Sequence, residues 1–153
     1  MTQERIKIVA KNRKAHHEFH ILEEMEAGMA LLGTEVKSLR QGRANLKDSY
    51  GKFKNGELYI YQMHISHYPF AYYDNHDPER PRKLLLHKFE LKRLYGKIKE
   101  KGQTIVPLQI YFKQGKAKVK IALGKGKRTH DKRQAIKERE VKREMDRAIK
   151  NRR

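Results

Sequence analysis

The chain has 153 residues, enough for one domain with an appendage, and 37 Lys+Arg against 18 Asp+Glu give it a formal net charge of +19. It has no cysteine, which excludes disulfides, thiolate metal sites and cysteine nucleophiles. Cations in such excess neutralise phosphates and release their counterions, so the charge points to nucleic acid rather than to a merely soluble basic surface.

The opening Met1-Thr2-Gln3-Glu4-Arg5 is not followed by an apolar signal region, and no apolar run reaches the length of a membrane span. A cytoplasmic location is the expectation. Phe19 and Ile21 alternate with His20 and Leu22, as in a strand. A short helix is expected over residues 33–40, with Val36 and Leu39 facing inward. Asn55-Gly56 is a hairpin signal, and the β-rich run 58–65 follows it. Leu84, Leu91, Leu94, Tyr95 and Ile98 recur at helical spacing, which predicts a helix over 83–101 with Gly102 as its stop. Residues 104–112 read as a strand in which Pro107 demands an edge or a bulge. Gln114-Gly115 supplies a turn, and Ala117, Val119, Ile121 and Leu123 alternate with lysines in a half-buried strand. The expected fold is mainly β: a small antiparallel barrel, closed or partly open, with helices beside it; the OB-fold is one such architecture.

Apolar residues thin sharply after Leu123, and Gly124-Lys125-Gly126 marks the expected boundary. This divides the chain into a body, 1–124, and a basic tail, 125–153. The tail's 13 Lys+Arg and 5 Asp+Glu carry net +8, leaving +11 on the body. Glu138 and Lys142, and Asp146 and Lys150, are acid-before-base pairs at i,i+4, and Val141, Met145, Ala148 and Ile149 form a thin apolar stripe. A helix of this length is marginal alone, and residues 129–153 lack an aromatic side chain to dock it. The expectation is a segment that is disordered alone and helical on a partner.

Chemistry is sparse. The Gly- and Lys-rich stretch 96–102 is followed by Gln103 where a phosphate loop needs Lys. His17 and His20, like His64 and His67, have i,i+3 spacing, but in strand-like sequence such pairs point to opposite faces. Neither metal, cofactor nor catalytic residue is expected. The RNA signals are Asn12-Arg13-Lys14 ahead of a strand, and Arg80-Pro81-Arg82-Lys83 beside the aromatic segment 72–76. Cations beside rings suit phosphates and unstacked bases; tyrosines packed under a loop are the structural alternative.

Several blocks occur in order: Asn12–Ala15, Gly33-Thr-Glu-Val-Lys-Ser-Leu-Arg40, Asn45-Leu-Lys-Asp-Ser-Tyr50, Asn75–Lys88, Val106-Pro-Leu108, Ile121–Lys127 and Asp131-Lys-Arg133. Together they resemble the small protein B family, the bacterial partner of transfer-messenger RNA (tmRNA) in trans-translation. Gly124 departs from the Ala-Arg that many members carry. The resemblance implies a monomeric, non-enzymatic protein with an OB-like barrel. Such a protein binds the tRNA-like domain of tmRNA and accompanies it into ribosomes stalled on messages without a stop codon. On this chain the tmRNA face would use Asn12, Arg13, Lys14, Glu35, Lys37 and Arg40. Asn75, His76, Arg80, Arg82 and Lys83 would extend it. Glu35 would accept donors from RNA bases or a 2′-OH, with an ion pair to Lys37 or Arg40 as its alternative. Substituting Glu35 by alanine would then weaken binding without unfolding the barrel. The tail would engage the decoding centre and the empty mRNA channel through Lys125, Lys127, Arg128, His130, Asp131, Lys132, Arg133 and Ile149. A ribosomal protein or general single-strand binder is the rival from composition alone, and the ordered blocks separate the two.

Overall fold

The computed structural model describes residues 5–71, 73–127 and 129–151, the side chains of 129–131 excepted. Its elements in chain order are β1 (Ile6–Lys11), α1 (Ala15–Glu18), β2 (Phe19–Met29), α2 (Gly33–Arg40), β3 (Ala44–Asn45), β4 (Tyr50–Lys54) and β5 (Glu57–Tyr61). There follow β6 (His64–Ile65), β7 (Arg82–Leu85), α3 (Lys88–Lys101), β8 (Thr104–Lys113), β9 (Lys116–Gly126) and α4 (Thr129–Lys150).

Antiparallel pairings run β8–β4–β5–β7–β2–β9, and β9 returns to β8, so the sheet closes on itself. Closure removes sheet edges that would otherwise offer unpaired backbone groups. Besides β9, β8 pairs with two strands: Ile105 faces Gly51 of β4, while Gln109–Lys113 pair with β1, which lies outside the ring. Leu58, Ile60, Leu84, Ile105, Ile110, Val119 and Ile121 fill the interior, with Leu39 of α2 and Leu94 of α3 plugging it. Val106, Leu108 and Ala122 face outward into a smaller cluster under Ala15 and Phe19. That two-sided burial explains the near-continuous apolar run from Ile105 to Phe112.

Gly51 is required at the closure. A Cβ there would lie 2.6 Å from Ile105 Cγ2 and 2.8 Å from its Cβ. Gly51→Ala should therefore destabilise the barrel by about 1–3 kcal/mol through overpacking. A urea midpoint equal to wild type would show that β4 and β8 have slack at this point.

The Asn55-Gly56 hairpin forms as expected, with φ of 52° and 77° joining β4 to β5. Helix α2 occupies the expected residues, with Leu39 buried. Pro107 sits at a bulge, where the β8–β9 register shifts between Pro107 and Gln109. Three expectations are corrected. The run 58–65 is broken by Gln62, whose φ of 60° separates β5 from β6. The helix predicted from Lys83 starts at Lys88, because Arg82–Leu85 form the strand that bridges β5 and β2. Finally, β9 does not stop at Gly124: it pairs with β2 as far as Gly126 opposite Phe19.

The 22 residues Thr129–Lys150 form one helix, which meets the body at α1. Val141, Met145 and Ile149 are exposed on it, Ile149 to 67%.

Candidate nucleic-acid interface

The bulge at Pro107 frees a carbonyl, and Asn12 takes it. Asn12 Nδ2 donates to Pro107 O (3.0 Å) while its N–H donates to Leu108 O (2.7 Å). Asn12 is thus an anchor that turns the chain out of β1, and the following Arg13 and Lys14 stand exposed at the head of α1. Across from them lies the tight turn 45–50. Asn45 Oδ1 accepts from the Lys47 N–H (2.8 Å), Ser49 Oγ donates to Leu46 O (2.5 Å), and Leu46 is buried beneath. The two segments wall a cleft of about 420 Å³ lined by Arg13, Lys14, Lys47, Asp48 and Tyr50. Lys47, Asp48 and Tyr50 stand outside the residues that the sequence assigned to the RNA face. Their signal was the block 45–50 itself, which carried part of the resemblance.

The second expected cluster has a different character. Glu35 is the third residue of α2, and its Oε1 reaches back to accept from the Leu32 N–H (2.8 Å), as in a capping box. The same oxygen accepts from Arg80 Nη2 (2.5 Å), and Oε2 accepts from Arg82 Nε (2.5 Å). Arg82 Nη1 donates to Met63 O, and its Nη2 to Pro78 O (3.1 Å) and Asp77 O (3.3 Å). Glu35 and Arg82 are both 0% exposed, and Arg80 is 33% exposed. Burial opposes the Glu35 charge, yet the hydrogen bonds from Arg80, Leu32 and Arg82 outweigh it and hold the carboxyl below its usual range.

This corrects the expected role of Glu35: its carboxylate has no surface from which to accept a donor of RNA. The ion pairs are with Arg80 and Arg82, not with Lys37 or Arg40. Arg82 is likewise inside. So is His76, whose Nε2–H donates to Ile65 O (2.8 Å) and whose Nδ1 lies 2.9 Å from the Thr34 hydroxyl. Asn75 is half-buried and staples the loop before it, donating to Tyr68 O (2.9 Å) and accepting from the Tyr68 N–H (3.2 Å). These four residues shape the surface rather than form it. Lys37 lies over the Tyr68 ring at 5.5 Å and Arg40 over Phe112 at 5.7 Å, both exposed on α2. Lys83 is on β7, 3.8 Å from Glu57. None of these three lines the Arg13–Lys14 cleft. Tyr72, expected beside the cations, lies outside the described residues.

At the start of the tail, Lys125 belongs to β9 opposite His20. Lys127 donates from its N–H to Glu18 O (2.8 Å) and from Nζ to His16 O (2.8 Å). Both therefore fasten the last strand to the body. Arg128 and the side chains of His130 and Asp131 lie outside the described residues. Arg133 is exposed on α4 and Lys132 is half-buried. Among the described residues no three of His, Asp and Glu gather closely enough to hold a metal ion. No described helix is long and apolar enough to cross a membrane.

A closed antiparallel barrel that turns a cationic cleft and tyrosines to solvent has the build of an OB-type RNA-binding protein. More particularly, the chain belongs to the family described as SmpB protein, whose profile matches residues 9–151. It is 55% identical over 152 residues to the SsrA-binding protein of Syntrophobacter fumaroxidans, covering 99% of this chain and 94% of that one. The SsrA-binding protein of Desulforudis audaxviator is 56% identical over 148 residues, covering 97% of each. A solved chain from a structure described as "tmRNA-SmpB: a journey to the center of the bacterial ribosome" superposes with a TM-score of 0.66. It shares 51% identity, covering 82% of this chain and 92% of that one.

Proposed function

We propose that this protein binds the tRNA-like domain of tmRNA and delivers it to stalled ribosomes in the cytoplasm, with no reaction of its own. The observation that carries the reading is its high identity, over nearly its whole length, to SsrA-binding proteins, joined to likeness with a chain from a structure whose description names tmRNA-SmpB and the bacterial ribosome. The body is the tmRNA-binding part, and the cleft of Arg13, Lys14 and Lys47 supplies phosphate contacts. Lys37, Arg40, Lys83 and the exposed part of Arg80 add cations around it. Asn12, Glu35, Asn75, His76 and Arg82 act by positioning these groups. The tail is the ribosome-engaging part, with α4 following the anionic walls of the decoding region and the mRNA path.

Binding of tmRNA in competition with bulk tRNA tests the reading. The protein should prefer tmRNA, and its affinity should fall with salt at a log–log slope of about −0.7 per neutralised single-strand phosphate. Arg13→Ala together with Lys14→Ala should make that slope shallower by about 1.4 if each cation meets one phosphate. Equal affinity for tRNA and tmRNA would favour a general RNA binder, and a salt-independent affinity would remove the electrostatic basis.

A further inference from the structure

We propose that Tyr50 and Tyr61, on the outward face of β4 and β5, form a stacking site for one unpaired RNA base; this deepens the tmRNA-binding reading and rests on it. The two residues face each other across the ladder. Their rings are parallel to within 16°, with centroids 5.6 Å apart. Tyr59 extends the row at 6.5 Å from Tyr61, tilted by 53°. Tyr50 is 37% exposed. Among the described residues none hydrogen-bonds to the hydroxyl of Tyr50, Tyr59 or Tyr61.

The surroundings select the ligand. Tyr50 also lines the Arg13–Lys14–Lys47 cleft, so a phosphate held there places its nucleotide beside the ring. Lys52 is opposite Tyr59 in the ladder, and Lys83 is Tyr59's neighbour on β7. Aromatic faces flanked by cations fit a splayed-out base on an anionic backbone. A paired base inside a helix offers no free face to such a platform, so the occupant is an unpaired nucleotide of a folded RNA. A cross-strand tyrosine pair also stabilises a hairpin, and the test must separate the two roles.

The replacements Tyr50→Val and Tyr61→Val, made together, keep β-formers on the ladder and remove the π faces. This double variant should bind the tRNA-like domain of tmRNA roughly 5- to 100-fold more weakly, with the salt slope unchanged. Tyr50→Phe with Tyr61→Phe should stay within about twofold of wild type, since the stacking faces remain. In parallel, wild-type protein is photocrosslinked to the same RNA carrying 5-iodouridine at its unpaired positions, and the attached residue is read by mass spectrometry. Attachment at Tyr50 or Tyr61 supports the site, including where the valine variant folds poorly. Wild-type affinity in the folded valine variant, or attachment only elsewhere, overturns it. Failure of the wild-type protein to bind the RNA would instead overturn the functional reading beneath it.

Discussion

Glu35→Ala is expected to lose about 3–5 kcal/mol of stability, because it strands a buried guanidinium. Arg82 is fully buried, and Glu35 is its only carboxylate partner at ion-pair distance among the described residues. Removing the carboxylate also orphans the Leu32 N–H at the start of α2. A domain holds only about 5–15 kcal/mol in total, so the variant should melt at a much lower urea concentration. Near-full recovery is not expected from Glu35→Leu with Arg82→Met, since Arg82 also satisfies the carbonyls of Met63, Asp77 and Pro78. Any lost RNA affinity should track the unfolded fraction. A variant with the wild-type urea midpoint and selectively weakened RNA binding would restore Glu35 as a direct RNA contact.

The same cluster sets an acid limit. The Glu35 pKa is lowered on folding, so its contribution is complete above the unfolded carboxyl value of about 4.3. It is lost as pH falls through the depressed folded value. Glu23 is lowered in the same direction by Lys97 and Arg93, and Glu26 by Tyr111 and Lys113. Acid unfolding followed by circular dichroism should therefore begin below about pH 4.

What the sequence revealed depended on whether the signal was local. Asn55-Gly56 announced its hairpin because a left-handed pair is a property of two adjacent residues. Pro107 announced a bulge because it lacks an N–H. Leu84 was read as helical because it lies seven residues before Leu91, yet it faces the barrel interior from a strand. Three successive leucines fit either period, and only the pairing of β7 with β5 and β2 decides between them. At the candidate site, the resemblance picked out blocks of sequence but could not tell which side of the surface each residue occupies. Glu35, His76 and Arg82 are polar and fall inside motif blocks, so they read as contacts. Their partners lie 47 residues away for Glu35–Arg82 and 42 for Thr34–His76, a separation no local pattern reports. Tyr50 and Tyr61 were hidden for the converse reason, because their meeting depends on the register of β4 against β5.

Cutting the chain after Lys127 should leave tmRNA binding intact and abolish peptide tagging on stalled ribosomes. The position matters. Ending at Gly124 would also remove Lys125 and Gly126 from β9 and the Lys127 bonds to Glu18 and His16. A loss of tmRNA affinity in that shorter chain would then reflect a loosened barrel. Ending at Lys127 removes only α4 and its approach. That helix meets the body at α1, and Met145 and Ile149 are 61% and 67% exposed, so the barrel's core does not depend on it. An isolated helix with so thin an apolar stripe is marginal in water. The tail carries net +8, so an anionic RNA surface both attracts it and offsets the cost of ordering it. On the proposed reading, an mRNA path already occupied by message would withhold that surface, and the helix would then gain nothing by forming. Ordering of α4 would thereby be coupled to an empty path. A peptide of residues 129–153 should accordingly show little helicity alone in circular dichroism and gain it on an RNA polyanion. If the chain ending at Lys127 tags normally, the tail has no part in ribosome engagement. If it no longer binds tmRNA while its barrel melts as wild type, the division of labour between body and tail is wrong.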